Sequence, residues 1–305
     1  MSNFIFGPVQ SRRFGLSLGI DLSPLQKQCN FDCLYCELKG AKTTDKIVNP
    51  PKVSEIIGEL EASLKKFSNI DAITVTANGE PTLYAHLKEL ACKINTIKNG
   101  KKLLILSNGA LIADKSVQNA LLEFDIVKLS IDAVMPKVFK KLDRPHKSVD
   151  LAQMIEGMKE FARIFKNELV LETLVVKNIN DTRDDFLALN HIVNEIKPSR
   201  IDIGTIDRPS AYKVGAVSYE TLEILSREIK NVPMMITKRA KFPKRGLSLS
   251  EDEIIQLLKM RPQSEEDMEN MLGEESKRGL QILLESKKIS LITAANVNFY
   301  KAEGV

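Results

Sequence analysis

The residues of this sequence with the clearest chemical potential are three closely spaced cysteines. Cys29, Cys33 and Cys36 fall within the stretch "CNFDCLYC", with three and then two residues between them. Thiolates are soft ligands that suit iron–sulfur clusters, Zn²⁺ or Cu(I). A loop with thiols at this spacing can present all three to one metal centre. The fourth cysteine, Cys92, stands in an amphipathic stretch at a position that suits a small buried hydrophobe.

Three kinds of site can use such a loop. A structural zinc site needs a fourth ligand, and none of the three histidines has a second ligand at a usual spacing. A redox or nucleophilic pair of Cys33 and Cys36 leaves Cys29 without a role. A [4Fe–4S] cluster held by three thiolates keeps one iron open for an external ligand. S-adenosylmethionine (SAM) offers that iron an amino and a carboxylate group, and we favour this third interpretation.

Six apolar runs, rich in Val, Ile and Leu, alternate with amphipathic stretches between residues 14 and 230. The runs cover residues 14–21, 72–78, 102–108, 126–132, 169–176 and 200–207. This alternation predicts a parallel sheet covered by helices, with right-handed crossover connections. Six such strands form either an open doubly wound sheet or an incomplete barrel. In both, function gathers at the carboxyl ends of the strands.

The pattern and the charge both change near residue 246. Three short helical stretches and a β-ribbon follow, an order typical of a winged-helix module. Residues 246–305 hold 7 Lys/Arg and 11 Asp/Glu, a net charge of −4. Because the whole chain has a net charge of +4, the preceding 245 residues carry +8. DNA binding by this acidic module is not expected, because phosphate contacts need cations. Five bases crowd residues 238–245, either as a solvated connector or as a patch for a polyanion such as RNA.

The motif "CNFDCLYC" resembles the signature of the radical SAM enzymes, including the aromatic residue before the last cysteine. The flanking "FGPVQSRRFGLSLGIDLSP" and "NGEPTL" look like the Fe–S oxidoreductase branch related to the wyosine-forming tRNA enzymes. The resemblance implies an incomplete (β/α)6 radical SAM barrel over residues 1–245, with a small winged-helix-like domain at 246–305. It also implies a [4Fe–4S] cluster that cleaves SAM reductively, and a 5′-deoxyadenosyl radical that abstracts hydrogen from a substrate.

The resemblance also assigns residues to SAM. "ANGEPTL" is similar to the superfamily's GGEP motif, in which the glutamate binds the SAM amino group, with Asn78 where the first glycine is usual. Side chains at the next two strand ends reach the SAM ribose and carboxylate, and Tyr35 lies against the adenine. Turn chemistry is the alternative for the strand ends. The predicted cofactor contacts are Tyr35, Asn78, Gly79, Glu80, Pro81, Ser107, Asn108, Ser130 and Asp132, and the predicted cluster ligands are Cys29, Cys33 and Cys36.

The substrate side is less specific. Arg12, Arg13 and Arg144 could clamp a carboxylate or phosphate, or they could form ion pairs that tie the N-terminal segment to the barrel rim. A tRNA base is a candidate substrate because the first 245 residues are basic. No cysteine precedes Cys29, so the second cluster of the wyosine-forming enzymes is not predicted.

The remaining expectations concern partners and location. No flavodoxin-like stretch is evident, so an external electron donor of the flavodoxin or ferredoxin type is expected. No apolar run of about 18 residues predicts a membrane span, and the four cysteines do not suggest a disulfide scaffold. We therefore expect a cytoplasmic protein. The alternative function is an iron–sulfur sensor that acts through the winged-helix module.

Overall fold

One sheet of eight strands runs through most of the chain. The computed structural model describes residues 4–11, 13–238, 244–294 and 297–303. The strands follow one another across the sheet in chain order. The first pair is antiparallel and every later neighbouring pair is parallel. Their bounds are β1 Ile5–Ser11, β2 Gly15–Asp21, β3 Ala72–Thr76, β4 Lys102–Ser107, β5 Ile126–Ser130, β6 Glu168–Val175, β7 Arg200–Thr205 and β8 Met234–Ile236.

Strands β2 to β7 correspond to the six apolar runs of the sequence, so the prediction of a parallel α/β sheet is confirmed. The two edge strands were not predicted. In β1, Gly7 and Pro8 interrupt the apolar run, and the pairing with β2 shifts register between Phe6 and Val9. Strand β8 has only three residues, too few to show a period. These two strands form because they pair with a neighbouring strand, and their own sequence pattern does not predict them.

Within the described residues, seven helices connect the strands of the large sheet. They are α1 Val53–Lys66, α2 Leu87–Ile97, α3 Lys115–Leu121, α4 Pro136–Leu142, α5 Leu151–Ile164, α6 Arg183–Ile196 and α7 Tyr219–Ser226. Short polar side chains start several of them: Asp150 accepts from the Gln153 amide at α5, and Thr182 accepts from the Asp185 amide at α6. Such caps satisfy amides that lack a partner inside the helix. The loops that follow the parallel strands lie at one edge of the sheet, and the longest of them separates β2 from α1.

The two faces of the sheet differ in chemistry, because alternate residues of a strand point to opposite sides. Val127 of β5 and Leu171 of β6 belong to the main core beneath the helices. Lys128 and Glu172 point to the other face, where Lys128 Nζ lies 2.5 Å from a Glu172 carboxylate oxygen. Phe14, from the β1–β2 turn, packs on this inner face in a small apolar cluster with Leu104, Ile126 and Val170. The inner face is therefore apolar where the strands begin and charged further along them.

The last sixty residues add a smaller second layer. Their elements are α8 Glu251–Met260, β9 Gln263–Ser264, α9 Glu265–Met271, α10 Glu274–Glu285, β10 Ile289–Ala294 and β11 Val297–Ala302. The strands form an antiparallel sheet in the order β10-β11-β9. Leu257, Leu283 and Phe299 are fully buried here, and Val9 of β1 joins the same apolar cluster as Leu257 and Leu283. The second core thus grows from the edge of the large sheet.

None of the helices in the described part of the chain is both long and apolar enough to span a membrane.

Candidate functional site

All three predicted cluster cysteines lie on the long loop between β2 and α1, residues 22–52, which we call the cluster loop. Each is half-buried with a free thiol. The Thr44 amide donates to the Cys29 carbonyl at 2.8 Å, and the Cys36 amide donates to the Cys33 carbonyl at 3.1 Å. Among the described residues, no three Cys, His, Asp or Glu side chains form a finished metal site.

Burial disfavours the thiolate form of all three cysteines. It raises the pKa of Cys29 to about 12 and the pKa of Cys33 well above its usual range. The pKa of Cys36 is also raised by burial, and the nearby Lys27 partly opposes this. A buried thiolate without a cation is unfavourable, whereas a metal centre displaces the thiol protons when it binds. The donor set therefore suits a metal cluster better than a free nucleophile.

A parallel backbone bridge joins the cluster loop to the "NGEP" motif at the end of β3. Gln28 and Gly79 form a parallel bridge, in which the Gln28 amide donates to the Asn78 carbonyl at 2.8 Å and the Glu80 amide donates to the Gln28 carbonyl at 3.0 Å. Gly79 has φ +139°, and a Cβ there would lie 1.8 Å from the Gln28 carbonyl oxygen. No other residue fits at this contact, which holds the loop over the strand ends.

Glu80 joins two segments of the chain. Its carboxylate accepts from the Thr82 amide at 2.9 Å, the Thr82 hydroxyl at 2.6 Å, the Ser107 hydroxyl at 2.7 Å and the Asn108 amide at 2.7 Å. Burial raises the pKa of Glu80, and these four donors oppose the rise. Pro81 then opens a 3-10 turn, Pro81–Leu83. The predicted ligand of the SAM ammonium is thus also the group that joins β4 to the motif after β3.

Two asparagines named by the sequence also meet the cluster loop. The Asn108 side-chain amide donates to Asn30 Oδ1 at 2.6 Å and lies 3.6 Å from Cys29 Sγ. Asn78 acts through its backbone: its amide donates to Asp21 Oδ1 at 2.6 Å, and its carbonyl accepts from the Ser23 hydroxyl at 3.0 Å. The bulkier residue at the first glycine position is accommodated because its backbone makes these contacts.

Tyr35 and Asp132 come from distant parts of the sequence and meet. The Tyr35 hydroxyl donates to the Asp132 carboxylate, whose other oxygen accepts from the Leu174 amide at 2.6 Å. Burial raises the pKa of Asp132 to about 7. Burial also raises the pKa of Asp143 well above its usual range, with the Asp132 carboxylate adding to the effect. Ser130 ends β5 and is half-buried.

Lys27 is a residue that the sequence analysis missed. Its ammonium donates to Cys36 Sγ at 3.4 Å and lies 3.6 Å from Asp32 Oδ1, and its side chain is only 7% exposed. A lysine two residues before the first cysteine was the available signal, but lysines are common on loops. The burial that places Lys27 beside a cluster cysteine is a property of the tertiary structure, so the sequence does not show it.

Of the predicted substrate-side arginines, Arg13 and Arg144 lie in separate contacts. Arg12 lies outside the described residues. Arg13 bonds Glu172 at 2.7 Å and Asp202 at 2.8 Å on the inner face of the sheet, which is the ion-pair arrangement kept as the alternative. Arg144 lies 3.2 Å from Asp32, and its guanidinium stands over the Tyr212 ring at 4.8 Å. Two arginines in separate carboxylate contacts do not form a common anion clamp in this geometry.

The comparison with known proteins identifies the class. Residues 23–189 match the sequence profile of the Radical SAM superfamily. The chain belongs to this superfamily, and the resemblance inferred from the cysteine spacing is confirmed. The family is one of enzymes that use a [4Fe–4S] cluster and SAM, so the predicted enzyme class and cofactors are confirmed as well.

Relatives extend the match to nearly the whole chain. The "UPF0026 protein" of Helicobacter pylori strain J99 is 40% identical over 300 residues, which cover 98% of this chain and 97% of that protein. A "UPF0026 protein" of Methanocaldococcus jannaschii is 29% identical and covers 88% and 85%. Among solved structures, Streptococcus suis SuiB bound to S-adenosylmethionine matches with a TM-score of 0.54 at 17% identity, over 70% of this chain and 49% of that one. The structural match supports the fold alone.

The described residues fit the superfamily's cluster. Three thiols share one loop, and two of them already receive polar hydrogens, from Lys27 and from Asn108. Donors of this kind stabilise thiolate ligands from outside the metal's own coordination sphere. When bound, the cluster supplies one electron that cleaves the sulfonium C–S bond of SAM. The chain's own task is to hold the loop over the strand ends and to exclude water around it.

Proposed function

We propose that Cys29, Cys33 and Cys36 hold the [4Fe–4S] cluster and that the enzyme forms a 5′-deoxyadenosyl radical, which removes hydrogen from an organic substrate. The observation that carries the proposal is the Gln28–Gly79 bridge. It places a loop with three thiols directly on the strand ends of a parallel sheet, where α/β enzymes bind their ligands. A free redox pair of Cys33 and Cys36 would need neither this bridge nor a third thiol.

The proposed SAM site lies along the ends of β3, β4 and β5. Glu80 keeps an acceptor direction on the oxygen that bonds only the Asn108 amide, and this direction suits an ammonium group. Asn108 follows β4 and its side chain reaches the cluster loop, so it can contact both the cluster and SAM. The other proposed contacts are Tyr35, Asn78, Gly79, Pro81, Ser107, Ser130 and Asp132.

The test is anaerobic reconstitution with iron and sulfide, followed by dithionite and SAM. We expect 5′-deoxyadenosine from the wild type and loss of both cluster absorbance and product on Cys29→Ala, Cys33→Ala or Cys36→Ala. Cys92→Ala is the matched control and should retain both. Its thiol is exposed on α2, so the expectation from the amphipathic pattern that it is buried was wrong. A complete four-iron cluster that yields no 5′-deoxyadenosine would refute the enzyme proposal. A cluster whose EPR signal ignores SAM would favour the sensor instead.

The architecture behind this proposal is an incomplete (β/α)6 barrel over residues 1–245 with a winged-helix-like domain over 246–305. The order α8–β9–α9–α10–β10–β11 and the separate apolar core support the second assignment. That domain is acidic, so contact with a protein suits it better than contact with DNA. Free thiols and a cluster sensitive to oxygen support residence in the reducing cytoplasm.

For the substrate, a tRNA base remains our candidate, supported by the basic first 245 residues. Neutralising the bases of residues 238–245, part of which lie outside the described residues, should weaken tRNA retention and its salt dependence. If the variant retains tRNA as well as the wild type does, a small metabolite becomes the favoured substrate. Nucleoside and metabolite profiling of a deletion strain distinguishes the two classes directly.

A further inference from the structure

Helix α4 has two faces of opposite character. Phe139 and Leu142 are buried, and the Phe139 ring meets the ring of Phe31 in the cluster loop edge-on at 5.5 Å. Three exposed lysines at i, i+3 and i+4 share the opposite face. Together with one more exposed lysine after the helix, they form what we call the α4 surface: Lys137, Lys140, Lys141 and Lys147.

The charges of the α4 surface are not neutralised by neighbours. Within the described ranges, no carboxylate lies within ion-pair distance of any of the four ammonium groups; Lys141 donates only to the Asn178 carbonyl, at 3.4 Å. The acids of the same segment are occupied elsewhere. Asp143 is buried, and Asp150 caps α5. The surface therefore presents uncompensated positive charge to solvent.

This surface is attached directly to the cluster loop. The Asp32 amide donates to the Asp143 carbonyl at 3.1 Å, and the Leu34 amide donates to the Leu142 carbonyl at 2.9 Å. Leu34 stands between the second and third cluster cysteines. The lysine face is therefore separated from the cluster ligands by about one helix diameter, roughly 10 Å.

We propose that the α4 surface docks a small acidic one-electron carrier protein, which reduces the cluster. The inference rests on the proposed function, because a carrier can deliver an electron here only if the cluster is present to accept it. The carrier gives up one electron and is oxidised by one electron, and the cluster passes from [4Fe–4S]²⁺ to [4Fe–4S]⁺. Complementary charge speeds encounter more than it tightens binding, and redox complexes use small, transient interfaces.

An RNA fits this surface less well. Recognition of unpaired bases uses aromatic rings or guanidinium planes for stacking, and the four cations of the α4 surface are lysines. The neighbouring guanidinium of Arg144 already covers the Tyr212 ring and pairs with Asp32. RNA binding would also have no need of the backbone bonds that join α4 to the loop of Cys33 and Cys36. The location favours a partner that must come close to the cluster.

The experiment compares two reductants on the reconstituted full-length protein. The charge-reversal variant carries Lys137→Glu, Lys140→Glu and Lys141→Glu, and a milder variant carries Gln at the same positions. The matched control carries Lys88→Glu, Lys93→Glu and Lys230→Glu, the same charge change on exposed lysines elsewhere. Binding of oxidised flavodoxin to the protein without its cluster is measured at low and high salt, and charge reversal should weaken it at least tenfold at low salt. Formation of 5′-deoxyadenosine is then measured with dithionite and, separately, with reduced flavodoxin at low and high salt.

We expect the dithionite rates of all proteins to agree within about twofold. With flavodoxin at low salt, the rate of 5′-deoxyadenosine formation should fall at least tenfold in the charge-reversal variant and by less in the Gln variant. The control should keep the wild-type rate. The wild-type flavodoxin rate should fall as salt rises. If charge reversal impairs the dithionite rate, the Gln variant decides, by whether it loses flavodoxin-driven activity alone.

Several results would overturn the proposal. One is a flavodoxin rate that charge reversal leaves unchanged, and another is a wild type that neither reduced flavodoxin nor reduced ferredoxin can drive. Loss of retention of a total tRNA pool with an intact flavodoxin rate would reassign the surface to RNA. A wild type that forms no product even with dithionite would instead refute the proposed enzyme function itself.

Discussion

At the residue scale, two side chains matter to the site because they lie close to the cysteine thiols, not because of their residue type. Lys27 and Asn108 each donate toward one of the three thiols. Positive charge and hydrogen bonds near cluster sulfurs are among the factors that set the reduction potential. The charge on Lys27 should favour the reduced cluster, which carries one more negative charge than the oxidised one.

We predict that Lys27→Met makes the cluster harder to reduce. Loss of the ammonium should lower the ratio of reduced to oxidised cluster at a fixed potential by about tenfold, a shift of about 59 mV to more negative values for one electron. An EPR-monitored redox titration measures it. Lys27→Arg should keep most of the wild-type potential, and Lys39→Met, at an exposed site on the same loop, should not change it. Equal potentials for Lys27→Met and the wild type would contradict the assignment.

A second prediction at this scale concerns Gly79. Gly79→Ala puts a methyl group 1.8 Å from the Gln28 carbonyl oxygen at a φ of +139°, so the bridge must open. Strain of this kind costs on the order of 1–3 kcal/mol, and the iron bound per chain after reconstitution should drop. Gly58→Ala is the control, since a Cβ there meets nothing within 4 Å. The idea fails if Gly79→Ala binds as much iron as the control.

At the element scale, the inner face of the sheet is built on buried ion pairs. Glu172 of β6 contacts Lys128 of β5 and Arg13 of the β1–β2 turn, and Asp202 of β7 also bonds Arg13. Burial by itself would raise the pKa of Glu172, but Lys128 and Arg13 lower it to about 2. The turn before β2 is thereby fixed to strands far along the chain.

We predict that these ion pairs make the free energy of unfolding depend on pH. A carboxylate whose pKa falls on folding stabilises the native state above its ordinary pKa, about 4.5, and that contribution is lost as pH falls toward 2. Glu172→Gln should therefore cost about 3 kcal/mol in urea unfolding at pH 6. The difference from the wild type should shrink as pH falls below about 4. Exposed Glu61→Gln should cost little at any pH, and a constant deficit for Glu172→Gln would argue against the mechanism.

At the scale of the whole molecule, the two cores are coupled through the edge of the large sheet. Val9 of β1 is buried in the second apolar cluster, and Lys66 of α1 bonds Glu253 of α8 at 2.6 Å. The ion pair is partly exposed and contributes little, so apolar contact must provide most of the attachment. The second core also reaches the cluster loop, where Arg261 Nε lies 4.0 Å from Glu37 Oε2. The backbone bridge that holds the thiols over the strand ends, however, is made with the large sheet.

We predict that Val9→Asp loosens the second core and leaves the cluster site intact. A buried carboxylate without a partner is costly, so the amides of α8 and α10 should exchange hydrogen faster. Dithionite-driven 5′-deoxyadenosine formation should stay within about twofold of the wild type. Val9→Ile keeps the apolar character and should change neither measurement. Slow exchange in the Val9→Asp variant would show that the attachment lies elsewhere.

The sequence alone determined the features that are local. Three thiols within eight residues, six apolar runs of strand length and a glycine before Glu80 were all legible, because ligand spacing and strand period act between near neighbours in the chain. These patterns were enough to predict the parallel sheet, the superfamily and its cofactors. They were not enough to predict β1 and β8, since short edge strands are made by their pairing partner.

Only the tertiary structure decided how distant residues are used. It set Lys27 beside Cys36 Sγ, Tyr35 on Asp132 and Arg13 between Glu172 and Asp202. Each of these contacts depends on burial and on the lateral order of the strands, neither of which is written in the spacing of residues along the chain. A lysine on a loop or an arginine before a strand has the same appearance in a sequence whether it is solvated or buried. The fold alone brings such charges out of water and gives them partners.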